Sequence, residues 1–353
     1  MAGTARPSRD GLRAGLALLA ALGLLLVVGR LGPPGVEPPA PSSPGGGVFA
    51  TPWPLPSGVE FAQPISGLAV TPTAVWVAHG TTIERLDPRT LLVTASLQVA
   101  PIATDLLSGV ARPIRGLAAA AGSGAIWASL PSPAGGLLRI DPTTARVAAV
   151  VPVAGVAAPA VANAGSAAGV WVVCCGGETF LGTGELVRVD PATNRVVARI
   201  ALPGLPDAVG VGPSGVWVRA AAGPVWRVDP VTNRVVATVT VPHGLGGTPG
   251  GVLVGQAAVW VSDPASASVV RIDPRSNRIA GRVDGVGRAL AAADGTVVAT
   301  SGGRLLGLGR RPVRSVDVDA LNGVYATALA VGEGRIWIAE SGMLLHVDQR
   351  AFL

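Results

Sequence analysis

From residue 59 onward, apolar and charged positions alternate in short runs that return in the same order to the C-terminus. The clearest copy is Leu186 to Ile200, LVRVDPATNRVVARI. In Val187, Arg188, Val189 and Asp190, a strand of period two puts the valines on one face and the charges on the other. Asp190, Pro191, Ala192, Thr193 and Asn194 then read as a turn. Asp bonds the backbone ahead of it, Pro presets φ, and Asn tolerates the left-handed conformation. Related hairpins start at Arg85, Arg139, Arg227 and Arg271, and HVDQRAFL from His346 ends the chain.

Before each hairpin come a small apolar strand, a short turn and a second strand built on Val-Trp-Val or a variant, so each unit predicts four strands. Seven units are present, six with Trp at the same point (Trp76, Trp127, Trp171, Trp217, Trp260, Trp337) and one with Val298 there. The turn aspartates Asp87, Asp141, Asp190, Asp229, Asp273 and Asp348 recur with a mean period of about 43 residues, the size of one propeller blade. The predicted fold is therefore all-β, a seven-bladed β-propeller of four-stranded antiparallel blades over residues 59–353. The last unit lacks a full fourth strand, whereas Gly58 to Pro64 resembles one. That segment is expected to complete the last blade and remove an open sheet edge. The tryptophans are expected between blades, where a large flat side chain fills space.

The N-terminal region follows other rules. Residues 1–13 carry Arg6, Arg9 and Arg13 against Asp10 and read as a short cytoplasmic n-region; an uncharged run from Ala14 to Gly29 follows, then Arg30. As one hydrophobic helix, residues 14–30 would span roughly 24 Å, somewhat short of a bilayer core. Arg30 resembles a membrane flank and favours an uncleaved signal anchor; the small-residue exit at Val27, Val28 and Gly29 leaves a cleaved signal peptide open. The expected location is a single-pass membrane protein with an extracytoplasmic propeller, or a secreted one if the segment is cleaved. Residues 31–58, rich in Pro and Gly, read as a linker, with Trp53 packing back on the domain.

Composition changes this picture little. Hydrophobic residues at 49% suffice for a core, and 49 Gly with 31 Pro suit many short strands joined by turns. The net charge of +6 comes from 27 basic residues, all Arg. They recur at fixed repeat positions around the whole molecule, where they can pair with the repeating Asp. No basic cluster is interleaved with stacking aromatics, so nucleic acid is not an expected partner.

The Val-Trp-Val strand with R-I-D-P-x-T-N-R-V-V-A-T, seven times over, resembles the YVTN-type and streptogramin (virginiamycin B) lyase-like propeller superfamily. The resemblance implies the fold and, since relatives are often exported, a cell-envelope setting; it does not select a function. Lyase relatives use a metal-assisted histidine and acidic residues to open a cyclic ester. This chain has only His79, His243 and His346. His346 stands where other units have Arg and reads as a structural substitute, and His79 and His243 fall on loops of different blades.

Turns between strands 1 and 2 and between 3 and 4 are short and uniform, whereas the loops on the other side of the disc vary in length. Variable loops on a rigid scaffold carry binding. Counting back from each Trp places Ser66, Arg115, Pro159, Asp207, Gly250, Arg288 and Thr327 at the mouth of the central channel on that side. Arg115, Asp207 and Arg288 suggest a polar, mainly cationic ring suited to a carboxylate or phosphate, or else a set that pairs internally and closes the channel. With His79 and His243 these form the candidate ligand face. Cys174 and Cys175, adjacent and the only cysteines, are a candidate vicinal disulfide; two thiols or intermolecular bonding are the alternatives. Quinoprotein dehydrogenases use such a ring, but their calcium ligands and repeat signatures are absent. Two thiolates with no nearby histidine do not make a zinc site. The sequence thus predicts an exported, tethered propeller that binds a protein, glycan or small anion, with no cofactor, metal or catalytic residue assigned. A metal-assisted lyase or hydrolase is the alternative.

Overall fold

Each blade grows from its Asp-Pro turn. The side-chain Oδ1 of Asp190 accepts the Ala192 N–H at 2.9 Å, and the Asp190 carbonyl accepts the Asn194 N–H at 2.9 Å. Asn194 closes the turn at φ 57°, and Asn233 and Asn277 do the same in the next two blades. After this turn the fourth strand carries one extra residue, so the pairing register shifts at the same place in five blades, for instance opposite Arg188 and Val189. In the first two blades the left-handed position falls to Leu91 (φ 61°) and Ala145 (φ 53°). A Cβ is penalised in that conformation, and neither side chain has the polar group that offsets the penalty in Asn.

The computed structural model describes residues 58–99, 113–119, 124–130, 136–153, 160–162, 168–174, 184–221, 223–242, 250–287, 289–293, 296–301, 303–308, 314–317 and 326–352. The hydrophobic segment, linker residues 31–57 with Trp53, and Pro159, Cys175, His243 and Arg288 lie outside them. Among the described residues no helix is long and apolar enough to cross a membrane.

Seven separate four-stranded antiparallel sheets form the propeller. Blade 4 is typical, running Pro206–Gly212, Gly215–Ala220, Val225–Asp229, Arg234–Val239 from axis to rim. Blade 7 has Ala328–Gly332, Arg335–Glu340 and Met343–Asp348, and takes its outer strand from the other end of the domain. Val59 pairs with Leu344 and Glu60 with Met343, as the repeat arithmetic predicts. Thr327 strengthens the closure by donating its hydroxyl toward Ile65 O at 3.2 Å in blade 1. Near the axis the inner strands approach so closely that side chains must give way. A Cβ on Gly67 would stand 2.6 Å from the Leu117 backbone nitrogen in the next blade.

The core consists of seven clusters, each spanning two neighbouring blades. Trp76 packs with Ile126, Leu138 and Ile140 of blade 2, and Trp127 with Val170, Val172 and Val187 of blade 3. The pattern continues to Trp337, which packs on Leu68, Val75 and Leu86 of blade 1. Between blades 6 and 7 the place of Trp is held by Val298 against Ile336 and Ile338. The tryptophans are thus the filling between blades. Five of the six are 0% exposed and Trp260 is 7%.

The described repeat aspartates are occupied by their own turns. Repeat arginines clasp neighbouring blades instead. Arg85 donates to the carbonyls of Pro142 and Thr143, Arg188 to Pro230 at 2.7 Å, and Arg227 to Pro274 at 2.8 Å. The same arginines reach turn asparagines: Arg139 to Asn194, Arg188 to Asn233 and Arg227 to Asn277. Arg188 and Arg227 also lie over the Trp171 and Trp217 rings, at 4.9 and 5.5 Å. In blade 7, where His346 occupies the arginine position, Arg335 on the neighbouring strand makes the clasp to Pro88 O of blade 1 and lies 5.6 Å over Trp337. His346 packs edge-on against Trp337 at 5.2 Å.

Candidate binding site at the channel mouth

The inner strand of each blade begins on the side of the disc that carries the loops between second and third strands. Its first residues therefore converge around the axis there. Ser66, Arg115, Asp207, Gly250 and Thr327, five of the seven positions obtained by counting back from the Trp, line one cavity of about 750 Å³. The other two, Pro159 and Arg288, are outside the described residues. Gly80, in the loop after the second strand of blade 1, also lines the cavity and identifies the open face as that of the variable loops.

The rim is uneven in charge. Arg115 is exposed, and among the described residues no carboxylate lies within ion-pair distance of it. Asp207 is different. It accepts a charged hydrogen bond from Arg219, which comes from the second strand of the same blade and is 4% exposed. Arg219 Nη2 also reaches Asp263 Oδ1 in blade 5 at 3.3 Å. Ser266 donates to Asp263 Oδ2 at 2.6 Å, and the Gly250 N–H points to Asp207 Oδ2 at 3.4 Å. Two buried carboxylates thus share one guanidinium at the junction of blades 4 and 5. Asp207 Oδ1 is buried with no hydrogen-bond partner among the described residues. Burial pushes the Asp207 carboxyl above the usual carboxylate range, against the pull of Arg219. Removing one member of such a buried group generally costs about 3–5 kcal/mol, because a charge is left unpaired in a dry site.

Among the described residues the cationic side of the rim is therefore blade 2 alone, while the blade 4 side holds an ion group turned inward. Arg219 and Asp263 were not singled out by repeat reading. The signal was present: Arg219 interrupts the apolar second strand GVWVR, and a charge inside a buried strand requires a counter-charge.

Ser66 and Thr327 are largely committed to backbone carbonyls, Ser66 to Ala78 O at 3.3 Å and Thr327 to Ala339 O at 3.0 Å. His79 is not on the cavity wall. It ends the second strand of blade 1, with its ring 5.0 Å from Phe61 and Nε2 3.7 Å from Glu84. Cys174 ends the second strand of blade 3 and is buried. Its pairing with Cys175 concerns a residue outside those described. Among the described residues no group of three or more metal-ligating side chains occurs.

The fold and the axial cavity define a seven-bladed propeller with a ligand-sized channel mouth. Solved structures with the same architecture are diverse. A virginiamycin B lyase from Staphylococcus aureus superposes with a TM-score of 0.61 at 14% identity, covering 83% of this chain and 98% of that one. Hydrazine synthase from Kuenenia stuttgartiensis gives 0.63 at 12%, covering 86% and 99%. The Cps50 (Swd1) propeller domain from Myceliophteria thermophila gives 0.61 at 12%, covering 83% and 98%. At these identities the likeness is one of fold. No family model matches the chain, and no curated protein matches it in sequence.

Proposed function

We propose that this protein is an exported, membrane-tethered propeller that binds an anionic ligand at the channel mouth. The observation that carries the reading is the cavity of about 750 Å³ with exposed Arg115 on its rim. The volume lies within the range of about 300–1,000 Å³ common for small-molecule sites, and an exposed guanidinium favours a carboxylate or phosphate. Asp207 does not compete for that guanidinium, since it is engaged by Arg219. The uncharged run Ala14 to Gly29 supports the tether.

Thermal unfolding of the full chain against a panel of organic carboxylates and phosphates tests the binding. A ligand of the folded state present at 100 times its Kd raises stability by about 2.7 kcal/mol. Arg115→Ala should abolish that rise while leaving the unliganded midpoint within a degree or so, because the side chain is exposed and has no carboxylate partner among the described residues. A rise that survives Arg115→Ala places the ligand elsewhere. Retention of the full-length mass in the membrane fraction, resistant to salt and alkali, is the outcome expected of the tether.

A further inference from the structure

We infer that the ligand of the channel is amphiphilic: a carboxylate head held at Arg115 with an apolar body directed down the axis. This rests on the channel-mouth reading above and specifies its ligand class. One step below the rim, two residues along each inner strand, the cavity is walled by Leu68, Leu117, Val209, Val252, Leu290 and Leu329. All six are aliphatic, and they come from six different blades. Among the described lining residues, polar side chains are confined to the rim above them.

That division has a consequence for any occupant. A compact anion such as phosphate reaches Arg115 but leaves most of a 750 Å³ space, and its aliphatic wall, uncovered. A sugar or peptide filling the space would bring hydroxyls and amides against aliphatic side chains that offer no donor or acceptor, leaving only the backbone at the edges of the inner strands to replace their water hydrogen bonds. An aliphatic body covers the same wall favourably in proportion to its area. Among the described residues the head has one preferred seat. Arg115 on blade 2 is unpaired by any described carboxylate, whereas the blade 4 and 5 side holds two carboxylates on one guanidinium and repels a third. The ligand therefore enters with its anionic end toward blade 2.

The test is calorimetric titration of the full chain in nanodiscs of zwitterionic lipid, with the heats of empty nanodiscs subtracted. The probes are acetate, inorganic phosphate, octanoate and octanol. Octanoate is expected to bind at least 10-fold more tightly than acetate, phosphate or octanol. Arg115→Ala should reduce octanoate to the level of octanol, and Leu329→Asn should weaken octanoate and octanol together by about 10-fold. Should Leu329→Asn fail to fold, the chain-length series of acetate, butanoate, hexanoate and octanoate replaces it. Affinity should then climb at each step, by about 4-fold per added CH₂ if burial is complete. Phosphate or acetate binding as tightly as octanoate, with loss in Arg115→Ala, would overturn the amphiphile and leave the anion site standing. Octanoate binding indifferent to both substitutions and to chain length would overturn the inference. No binding by any probe would remove the inference and the anion reading together.

Discussion

At the residue scale, one turn position separates good repeats from imperfect ones. Asn194, Asn233 and Asn277 serve two purposes: their short polar side chains tolerate positive φ, and their Oδ1 atoms accept from the arginine of the preceding blade. Ala145 holds the same backbone conformation with neither benefit, and across the blade boundary Arg85 bonds the carbonyls of Pro142 and Thr143. Ala145→Asn should therefore stabilise the protein by about 1 kcal/mol, from relief of the left-handed penalty and a new acceptor for Arg85. Denaturant unfolding measures it, and Ala145→Gly separates the two contributions because it relieves only the first. These turn roles were legible in the sequence, since D-P-x-T-N carries its own short-range geometry. Arg219 was not, because its partners Asp207 and Asp263 sit 12 and 44 residues away. Their meeting depends on how blades 4 and 5 are set against each other.

At the scale of the element, blade 7 shows how the repeat survives a lost residue. The third strand has His346 instead of Arg, yet the clasp to blade 1 is kept by Arg335, which stands across from Asp348 on the adjoining strand. The two positions reach the same Pro88 carbonyl because adjacent strands lie only about 4.8 Å apart. Arg335→Ala should lower stability by about 1–2 kcal/mol through loss of this hydrogen bond and the stacking on Trp337. His346→Arg added to Arg335→Ala should restore most of the loss. Chemical denaturation of the single and double variants checks this, and an unrestored double variant would mean the two strands are not interchangeable. The sequence showed the substitution at His346 but not its compensation, which belongs to strand pairing. The tryptophans were legible for the opposite reason. One face of every second strand repeats, and a face that repeats around a ring can only meet the next blade.

For the whole molecule, the turns act as a set because all the described ones are built alike. The carboxyls of Asp87, Asp141, Asp190, Asp229 and Asp273 are held below the usual range, chiefly by backbone N–H groups two or three residues ahead. Asp348 is lowered to about 2, mainly by Arg350. A carboxyl depressed in the folded state stabilises above its unfolded value near 3.8 and loses that contribution as pH falls through the folded one. Asp207 has the opposite sign: its raised carboxyl favours the fold below the ordinary carboxylate range and loses that contribution as pH rises through its folded value. Among the described residues six lowered turn carboxyls outnumber the two raised ones, Asp207 and the partly buried Glu340, so the melting temperature should fall as pH drops from about 4 toward 2. The fall should be shallower in Asp190→Asn with Asp229→Asn, because an amide oxygen can accept the same backbone N–H groups without titrating. Calorimetry across that range decides it. By itself the sequence determined what is local and periodic: the strands, the turns, the number of blades, the closing strand and five described positions at the mouth. Short-range sterics and a fixed repeat length leave those little freedom. Only the tertiary structure decided what passes between blades: which carbonyl each arginine clasps, which carboxylates Arg219 joins, and that an aliphatic wall lies beneath a polar rim. Those contacts depend on the rotation of one sheet against the next, which a repeat encodes only through the sum of all its packing.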